Sequence, residues 1–398
     1  MTAEDLLGYA GTVITLPDNF TLLQVTPELE TGGAEQTTID VAHAVIEAGG
    51  RALVAARGGR MVARLEEDGG RLAQMPVQSK NPLVMLGNAA RLIDLIRKEK
   101  VSLVHARSRA PAHSALWAAH TTGVPFIATY HGVYHAKNSL KRWYNAVMTR
   151  GDLVIANSDF TRDHILAEHG IDPARVVTIP RGVDLSRFDP RKVAPARVDA
   201  LRAAWDAPAD KLVFLLAGRL TRIKGQLSIV EAAARMKAAG RDDFVVVFAG
   251  DDQGRVEYRQ EILNAIAGAG LTGVVKVVGH CDDMPAAYMA CDVALLPTLK
   301  PESFGRAAVE PQVMERPVIV SDHGAARETL IQGETGWRAA VGDASAWATA
   351  MAHALDVGGP RRREMGEQAA SRARRLYSVD AMCEATLQVY ARVLEARR

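Results

Sequence analysis

The strongest constraint in the sequence is a rhythm. Short apolar runs rich in β-branched residues alternate with longer amphipathic stretches, and the alternation is played out twice. Runs at 21–25, 52–56, 101–105, 125–130, 153–156 and 176–179 predict strands. Helical periodicity fills gaps between them at 33–48, 83–99 and 159–169. That order predicts βαβ units, hence a parallel sheet covered by helices on both faces. The rhythm pauses between 182 and 210, where Pro190, Pro195 and Pro208 stand among charges beside one short helical piece at 197–205. It resumes with strands expected at 212–217, 244–249, 274–278, 293–297 and 318–321, and helices at 224–238, 257–269, 305–314 and 325–332. Residues 344–398 are nearly all helical in pattern. The fold class is therefore α/β, as two doubly wound, Rossmann-like domains. The expected division is 1–190, a connection at 191–210, a second domain at 211–375, and a terminal helix at 376–398. Open parallel sheets bind ligands beyond the carboxyl ends of their strands. Two such domains facing across a cleft suit a transferase with a donor and an acceptor.

Composition narrows the reading. With 48% apolar and 24% charged residues, the 398-residue chain is neither disordered, collagen-like nor a coiled coil. A net charge of +2 gives no sign of a nucleic-acid binder. The average conceals a basic window: positions 91 to 150 hold ten Lys and Arg against only Asp94 and Glu99, so the rest of the chain is net acidic. Cys281, Cys291 and Cys383 lack Cys-x-x-Cys spacing and read as buried small apolar residues. The N-terminus carries acids where a signal peptide needs bases, and no stretch approaches the roughly 18 apolar residues of a membrane span. A cytoplasmic protein is expected.

Four segments carry candidate chemistry. Thr31-Gly32-Gly33-Ala34-Glu35 follows the first strand and opens the first long helix. Glycines there admit a ligand close to the backbone, and the helix start offers unpaired N–H groups to a phosphate; a plain tight turn is the alternative. Gly218-Arg219-Leu220-Thr221-Arg222-Ile223-Lys224-Gly225 opens the second domain. Arg219 and Lys224 form either a diphosphate clamp or a solvated basic turn. In Pro301-Glu302-Ser303-Phe304-Gly305-Arg306-Ala307-Ala308-Val309-Glu310, Ser303 is a candidate helix cap, and Glu310 falls on a helix flanked by apolar neighbours. A partly buried Glu310 needs a partner, either a ribose diol or a nearby arginine. His131, in Thr129-Tyr130-His131-Gly132, ends a first-domain strand, where an imidazole can bond a sugar hydroxyl, move a proton, or serve structure alone.

In this order the segments strongly resemble glycosyltransferase family 4, retaining enzymes of the GT-B fold. Ala156-Asn157-Ser158 and Ile179-Pro180-Arg181-Gly182-Val183-Asp184 match as well, and the likeness covers about 22–393. It implies that Glu310 holds the nucleotide ribose and that Arg219 and Lys224 bind the diphosphate. Glu302 and the backbone of Ser303, Phe304 and Gly305 would hold the donor sugar and phosphate. Gly33 would approach the diphosphate, His131 the sugar near the reacting carbon, and Val278 to His280 the nucleobase. The terminal helix would pack back on the first domain. Arg306 and Pro311 depart from the family pattern and put donor specificity in question.

The implied reaction moves a hexose-type sugar from a UDP- or GDP-sugar to a glycan or lipid-linked acceptor, with retention. Lipopolysaccharide or another envelope polysaccharide is the expected product class. No clustered Asp-x-Asp or His ligand set is evident, so no metal and no cofactor are expected. The segment 137–150 reads as an amphipathic helix with Leu140, Trp143, Tyr144, Val147 and Met148 on one side and Lys137, Lys141 and Arg142 near its start. It either rests on an anionic membrane face or packs on the sheet. A sugar-nucleotide epimerase and a non-catalytic sugar-nucleotide-binding subunit are the rival readings.

Overall fold

A computed structural model describes residues 16–397. The acidic N-terminal stretch considered above lies outside them. The chain divides into two compact units: the first runs to Gly182 and takes up the chain again at Val379, and the second is Val183–Ser378. Its boundary thus precedes the expected one. The stretch anticipated as a connection, 191–210, belongs to the second unit.

The first unit holds seven strands: β1 (Thr21–Val25), β2 (Arg51–Ala56), β3 (Arg71–Gln74), β4 (Leu103–Ala106), β5 (Phe126–Tyr130), β6 (Leu153–Ala156) and β7 (Val176–Thr178). They pair in parallel in the order β3-β2-β1-β4-β5-β6-β7. The central strands β1 and β4 are buried along their whole length, as strands covered on both faces must be. Helices α1 (Gly33–Glu47), α2 (Val62–Glu67), α3 (Pro82–Glu99), α4 (Arg109–Thr122), α5 (Ser139–Asn145) and α6 (Asp159–His169) connect them. Strand order reverses between β1 and β4, which opens a crevice at their carboxyl ends.

The second unit opens with α7 (Pro195–Ala204) and builds six strands: β8 (Leu212–Ala217), β9 (Phe244–Ala249), β10 (Val275–Gly279), β11 (Val293–Leu296), β12 (Val318–Ser321) and β13 (Gly336–Ala339). Their parallel order is β10-β9-β8-β11-β12-β13, so the reversal falls between β8 and β11. The helices are α8 (Gln226–Ala238), α9 (Val256–Gly268), α10 (Met284–Ala290), α11 (Arg306–Val313), α12 (Ala344–Asp356) and α13 (Gly358–Tyr377). α7 is no linker. Its Arg197 grips Asp283 at 2.8 and 2.6 Å, and its Arg202 donates to the carbonyl of Ala290 at 3.1 Å. Those bonds clamp α7 to both ends of α10.

The last helix, α14 (Val379–Glu395), rejoins the first unit and packs on α1, burying Met382, Leu387, Val389, Tyr390 and Val393. All eleven strands expected from the sequence form. Two more appear, β3 and β13, both at sheet edges. The helix expected at 325–332 is only a 3-10 turn, Gly324–Glu328. The chain then turns into β13, held by Ile331 N–H on Thr335 Oγ1 at 2.8 Å and Arg338 N–H on Gln332 Oε1 at 2.7 Å. Cys291 and Cys383 are buried as expected, whereas Cys281 is only half-buried. Among the described residues no helix is long and apolar enough to cross a membrane.

Candidate functional site

In the second unit the two loops at the switch point are the motif segments. The loop after β8 carries Arg219 and Lys224. The loop after β11 carries Glu302, Ser303, Phe304 and Gly305. The structure joins them directly: Lys224 Nζ donates to Glu302 Oε1 at 2.5 Å, with both side chains mostly shielded from solvent. Gly225 makes this approach possible. Its φ is +75°, and a Cβ there would lie 1.9 Å from the carbonyl oxygen of Pro297. Ile223 adds a backbone rung between the loops, accepting from Leu299 N–H at 2.8 Å.

Arg219 stays exposed, with Nη1 3.4 Å from Gln253 Oε1. Its backbone is pinned from beneath. Buried Gln226 donates to the Arg219 carbonyl at 3.0 Å and accepts from the Tyr258 hydroxyl at 3.2 Å. The exposed Arg219 guanidinium thus extends from an anchored backbone.

Ser303 does not cap α11. Gly305, at φ +88°, holds the N-cap position, and no side chain caps the helix. The Phe304 ring turns inward to stack edge-on with Tyr377 at 5.7 Å. Only its backbone remains for a ligand. Glu310 lies one turn into α11 and is largely buried. Its Oε2 accepts from the Tyr288 hydroxyl at 2.9 Å, while Arg306 Nε stands 3.9 Å from Oε1, too far for a hydrogen bond. Burial pushes the Glu310 carboxyl up, and Arg306, Tyr288 and Arg187 oppose that shift. Arg306 is half exposed rather than fully turned to solvent. Pro311 sits inside α11, which ends at Val313. Val278 is half-buried near the end of β10, and exposed His280 bonds Asp282 at 2.9 Å.

In the first unit, Gly33 is the first residue of α1 and Gly32 its N-cap. A Cβ on Gly33 would lie 2.5 Å from the Arg181 guanidinium. Arg181 also donates to the His131 carbonyl at 3.1 Å. The loops after β1, β5 and β7 therefore meet, which no local pattern announced. His131 shares a small recess with Thr37, Arg107, Thr129, Asn157, Arg181, Met382 and Thr386. Burial, and then Arg181 and Arg107, hold its imidazole well below the usual range, so the ring is neutral near pH 7.

Arg107, just past β4, is buried and bonds Gln24 of β1 through Nε at 2.8 Å and through Nη2. His105 spans from Thr129 Oγ1 to the Tyr390 hydroxyl of α14, both at 2.7 Å. The terminal helix is thereby wired into the strand ends. Arg107, Arg181, Gln226 and Tyr288 were not singled out from the sequence. Arg181 had one available signal, its place in the quoted Ile-Pro-Arg-Gly segment; the others depend on strand order or on residues far along the chain.

The basic segment 137–150 forms α5 and then a 3-10 turn, Ala146–Thr149. It is not one continuous helix. Val147 and Met148 are buried against the sheet, while Leu140 and Trp143 are 72% and 57% exposed among Lys137, Lys141 and Arg142. The far end of the segment thus packs on the sheet, one of the two expected destinations, while its start leaves Leu140 and Trp143 uncovered.

Residues 31–187 match the family described as Glycosyltransferase Family 4, and 198–372 match Glycosyl transferases group 1. A D-inositol 3-phosphate glycosyltransferase of Kineococcus radiotolerans is 30% identical over 72% of this chain and 72% of its own length. D-inositol 3-phosphate glycosyltransferase 2 of Catenulispora acidiphila is 31% identical over 69% of this chain and 67% of its own. Among solved structures, a glycosyltransferase from Rickettsia africae superposes with a TM-score of 0.87 at 32% identity, covering 95% of this chain and 99% of that one. Anabaena HepE, solved with UDP and glucose, gives 0.77 at 22% identity, covering 95% of this chain and 100% of its own. With these likenesses the two parallel sheets are those of the GT-B fold, and the chain belongs to glycosyltransferase family 4 and is a glycosyltransferase.

Proposed function

We propose that this glycosyltransferase moves a hexose from a UDP- or GDP-sugar to a hydroxyl of a glycan or lipid-linked glycan, with retention of configuration. Lipopolysaccharide or another envelope polysaccharide is the product class it serves. The observation that carries the donor half is the Lys224–Glu302 pair at the switch point of the second sheet, with buried Glu310 on the next helix. A carboxylate with one oxygen left for hydroxyl donors suits a ribose diol.

The barrier in such a transfer is charge separation. The sugar becomes cationic while the diphosphate gains negative charge. Arg219 and Lys224 stabilise the leaving group, as preorganised donors do where charge develops. We assign that work to these side chains and expect no metal and no cofactor. Glu302 holds the donor sugar, together with backbone groups of Ser303, Phe304 and Gly305. A neutral His131 accepts or donates one hydrogen bond at the sugar without adding a cation beside a developing oxocarbenium. The departing phosphate takes the acceptor's proton on the same face.

A second reading of the acceptor is favoured by Arg107 and Arg181. Two guanidinium groups at one set of strand ends suit a phosphate-bearing hydroxyl compound, in keeping with the names of the inositol phosphate relatives. The exposed Leu140 and Trp143 beside Lys137, Lys141 and Arg142 support peripheral contact with an anionic membrane, on the inner face of the plasma membrane of the cytoplasm.

Thermal unfolding with UDP-, GDP- and ADP-sugars tests the donor. Ligand at 100 times its Kd stabilises by about 2.7 kcal/mol. Slow hydrolysis of the stabilising sugar nucleotide by pure protein is expected. Stabilisation by none of the three overturns the donor assignment, and binding without hydrolysis or transfer supports a binding-only subunit.

A further inference from the structure

Tyr288 has no part in the reading above, yet it is the side chain that touches Glu310 most closely. We propose that Tyr288 is a positioning residue for donor binding: its hydroxyl fixes one oxygen of Glu310 so that the other faces the nucleotide ribose. This inference rests on the assignment of Glu310 to the ribose.

The geometry separates the two carboxylate oxygens. Oε2 receives the Tyr288 hydroxyl at 2.9 Å. Among the described residues, the polar group set against Oε1 is Arg306 Nε, at 3.9 Å and on a side chain that is half exposed. A carboxylate offers about four acceptor sites, so one tyrosine hydrogen bond leaves room for a vicinal diol.

Tyr288 is built to stay where it is. It is 1% exposed, and its ring lies 6.2 Å from that of Phe188. The helix α10 that carries it is short but tied at both ends. At the start, Asp283 accepts from Ala286 N–H at 3.2 Å and is gripped by Arg197. At the end, Arg316 donates to the carbonyls of Cys291 at 2.8 Å and Met289 at 3.2 Å. A group held this firmly sets the rotamer of its partner.

The chemical type matters as much as the position. A second cation here would neutralise Glu310 and compete with the ribose. A phenol supplies one hydrogen bond and no charge. Burial, with Glu310 next, pushes the Tyr288 phenol well above its usual range, so it remains a donor at any working pH. The groups around Glu310 are then Tyr288 from α10, Arg306 from its own helix, and Arg187 from the chain before α7. Of these only Tyr288 makes a hydrogen bond to it.

The test compares nucleotides with and without the diol. Kd is measured by calorimetry for whichever of UDP, GDP and ADP the wild-type protein binds, and for its 2′,3′-dideoxy form. Wild type is expected to prefer the ribose form. Tyr288→Phe keeps the ring and removes the hydroxyl. It is expected to weaken ribose-nucleotide binding about tenfold, the low end for a hydrogen bond to a charged group. It should leave dideoxy binding within about twofold, a selectivity that general loosening of the site does not produce. Its loss in transfer falls more on KM for the donor than on kcat, and the acidic edge of nucleotide binding moves to higher pH.

Glu310→Gln separates this proposal from the one beneath it. If Glu310→Gln abolishes the ribose preference and Tyr288→Phe leaves it intact, Tyr288 is not the positioning residue. If Glu310→Gln leaves the preference intact, the ribose assignment falls and this inference with it. Binding of none of the three nucleotides by wild type has the same consequence.

Discussion

Lys224 and Glu302 form a hydrogen-bonded ion pair at 2.5 Å across the point where the second sheet reverses its strand order. The cation proposed to bind the diphosphate is thus matched by an internal carboxylate. The pair is mostly shielded, so removing one member strands the other. On the proposed donor site, a diphosphate arriving at Lys224 would compete with Glu302 for the same ammonium group.

Lys224→Ala is therefore expected to lower kcat/KM more than about a hundredfold, roughly 3 kcal/mol of transition-state stabilisation. Near-normal turnover removes the clamp from the mechanism. Glu302→Gln frees Lys224 from its internal anion. It should tighten binding of the bare nucleoside diphosphate several-fold by calorimetry, while sugar transfer falls. Weaker diphosphate binding in that variant contradicts the competition.

Transfer assays with and without EDTA address the expectation that no metal is required. Activity should survive chelation. Loss on chelation with recovery on adding magnesium or manganese reverses it.

Glu310 gives two pH effects of opposite sign. Burial raises its carboxyl above the ordinary range. On the proposed assignment ribose hydroxyls donate to the carboxylate form, so donor affinity should fall as pH drops through the raised value. For folding, a raised value means that the native state binds more protons than the unfolded chain in the window between the two pKa values. Stability of the empty protein then decreases as pH rises through that window. Stability and nucleotide affinity across mildly acidic to neutral pH should move oppositely in wild type, so the urea midpoint and the nucleotide Kd should both fall as pH rises. In Glu310→Gln this component should vanish from both.

His105, fully buried, bonds Thr129 on one side and Tyr390 of α14 on the other. Tyr390→Phe leaves one imidazole nitrogen without its partner in a dry site. A loss of about 1–3 kcal/mol in urea unfolding is expected, the usual cost of a stranded buried polar group. An unchanged midpoint means that water replaces the hydroxyl.

Leu140 and Trp143 are exposed, so changing both to Ser should cost less than about 0.5 kcal/mol in stability. If the face docks on lipid, the double variant should lose cosedimentation with vesicles rich in anionic phospholipid at low salt. Equal binding by wild type and variant, or none by either, rules this face out.

The alternation of apolar runs was enough to read two α/β units, because strands buried on both faces must be almost continuously apolar. The strands it missed show the limit. β3 reads Arg-Leu-Ala-Gln and β13 Gly-Trp-Arg-Ala. Both are edge strands: β3 is half-exposed and so lacks the apolar signature, whereas β13 is mostly buried but its four residues include a glycine and an arginine and no β-branched residue. The segment 191–210 looked like a connection because prolines and charges dominate it, yet its charges are the bonds that attach α7 to α10.

The site divides along the same line. Arg219, Lys224, Glu302 and Glu310 were visible in the sequence because loops at helix entrances concentrate glycine, cations and acids in short motifs. The sequence left open whether Glu310 meets an arginine or a ribose. Tertiary structure decided that Arg306 stands too far to satisfy it and that Tyr288, from another helix, takes one oxygen. It likewise brought Arg181 over Gly33 and tied Arg107 to Gln24. Composition and periodicity determined most of the strands and helices and the motif-bearing loops between them, since burial and backbone geometry act locally. Which loops became neighbours depended on strand order, and strand order is set by packing among segments far apart in the chain.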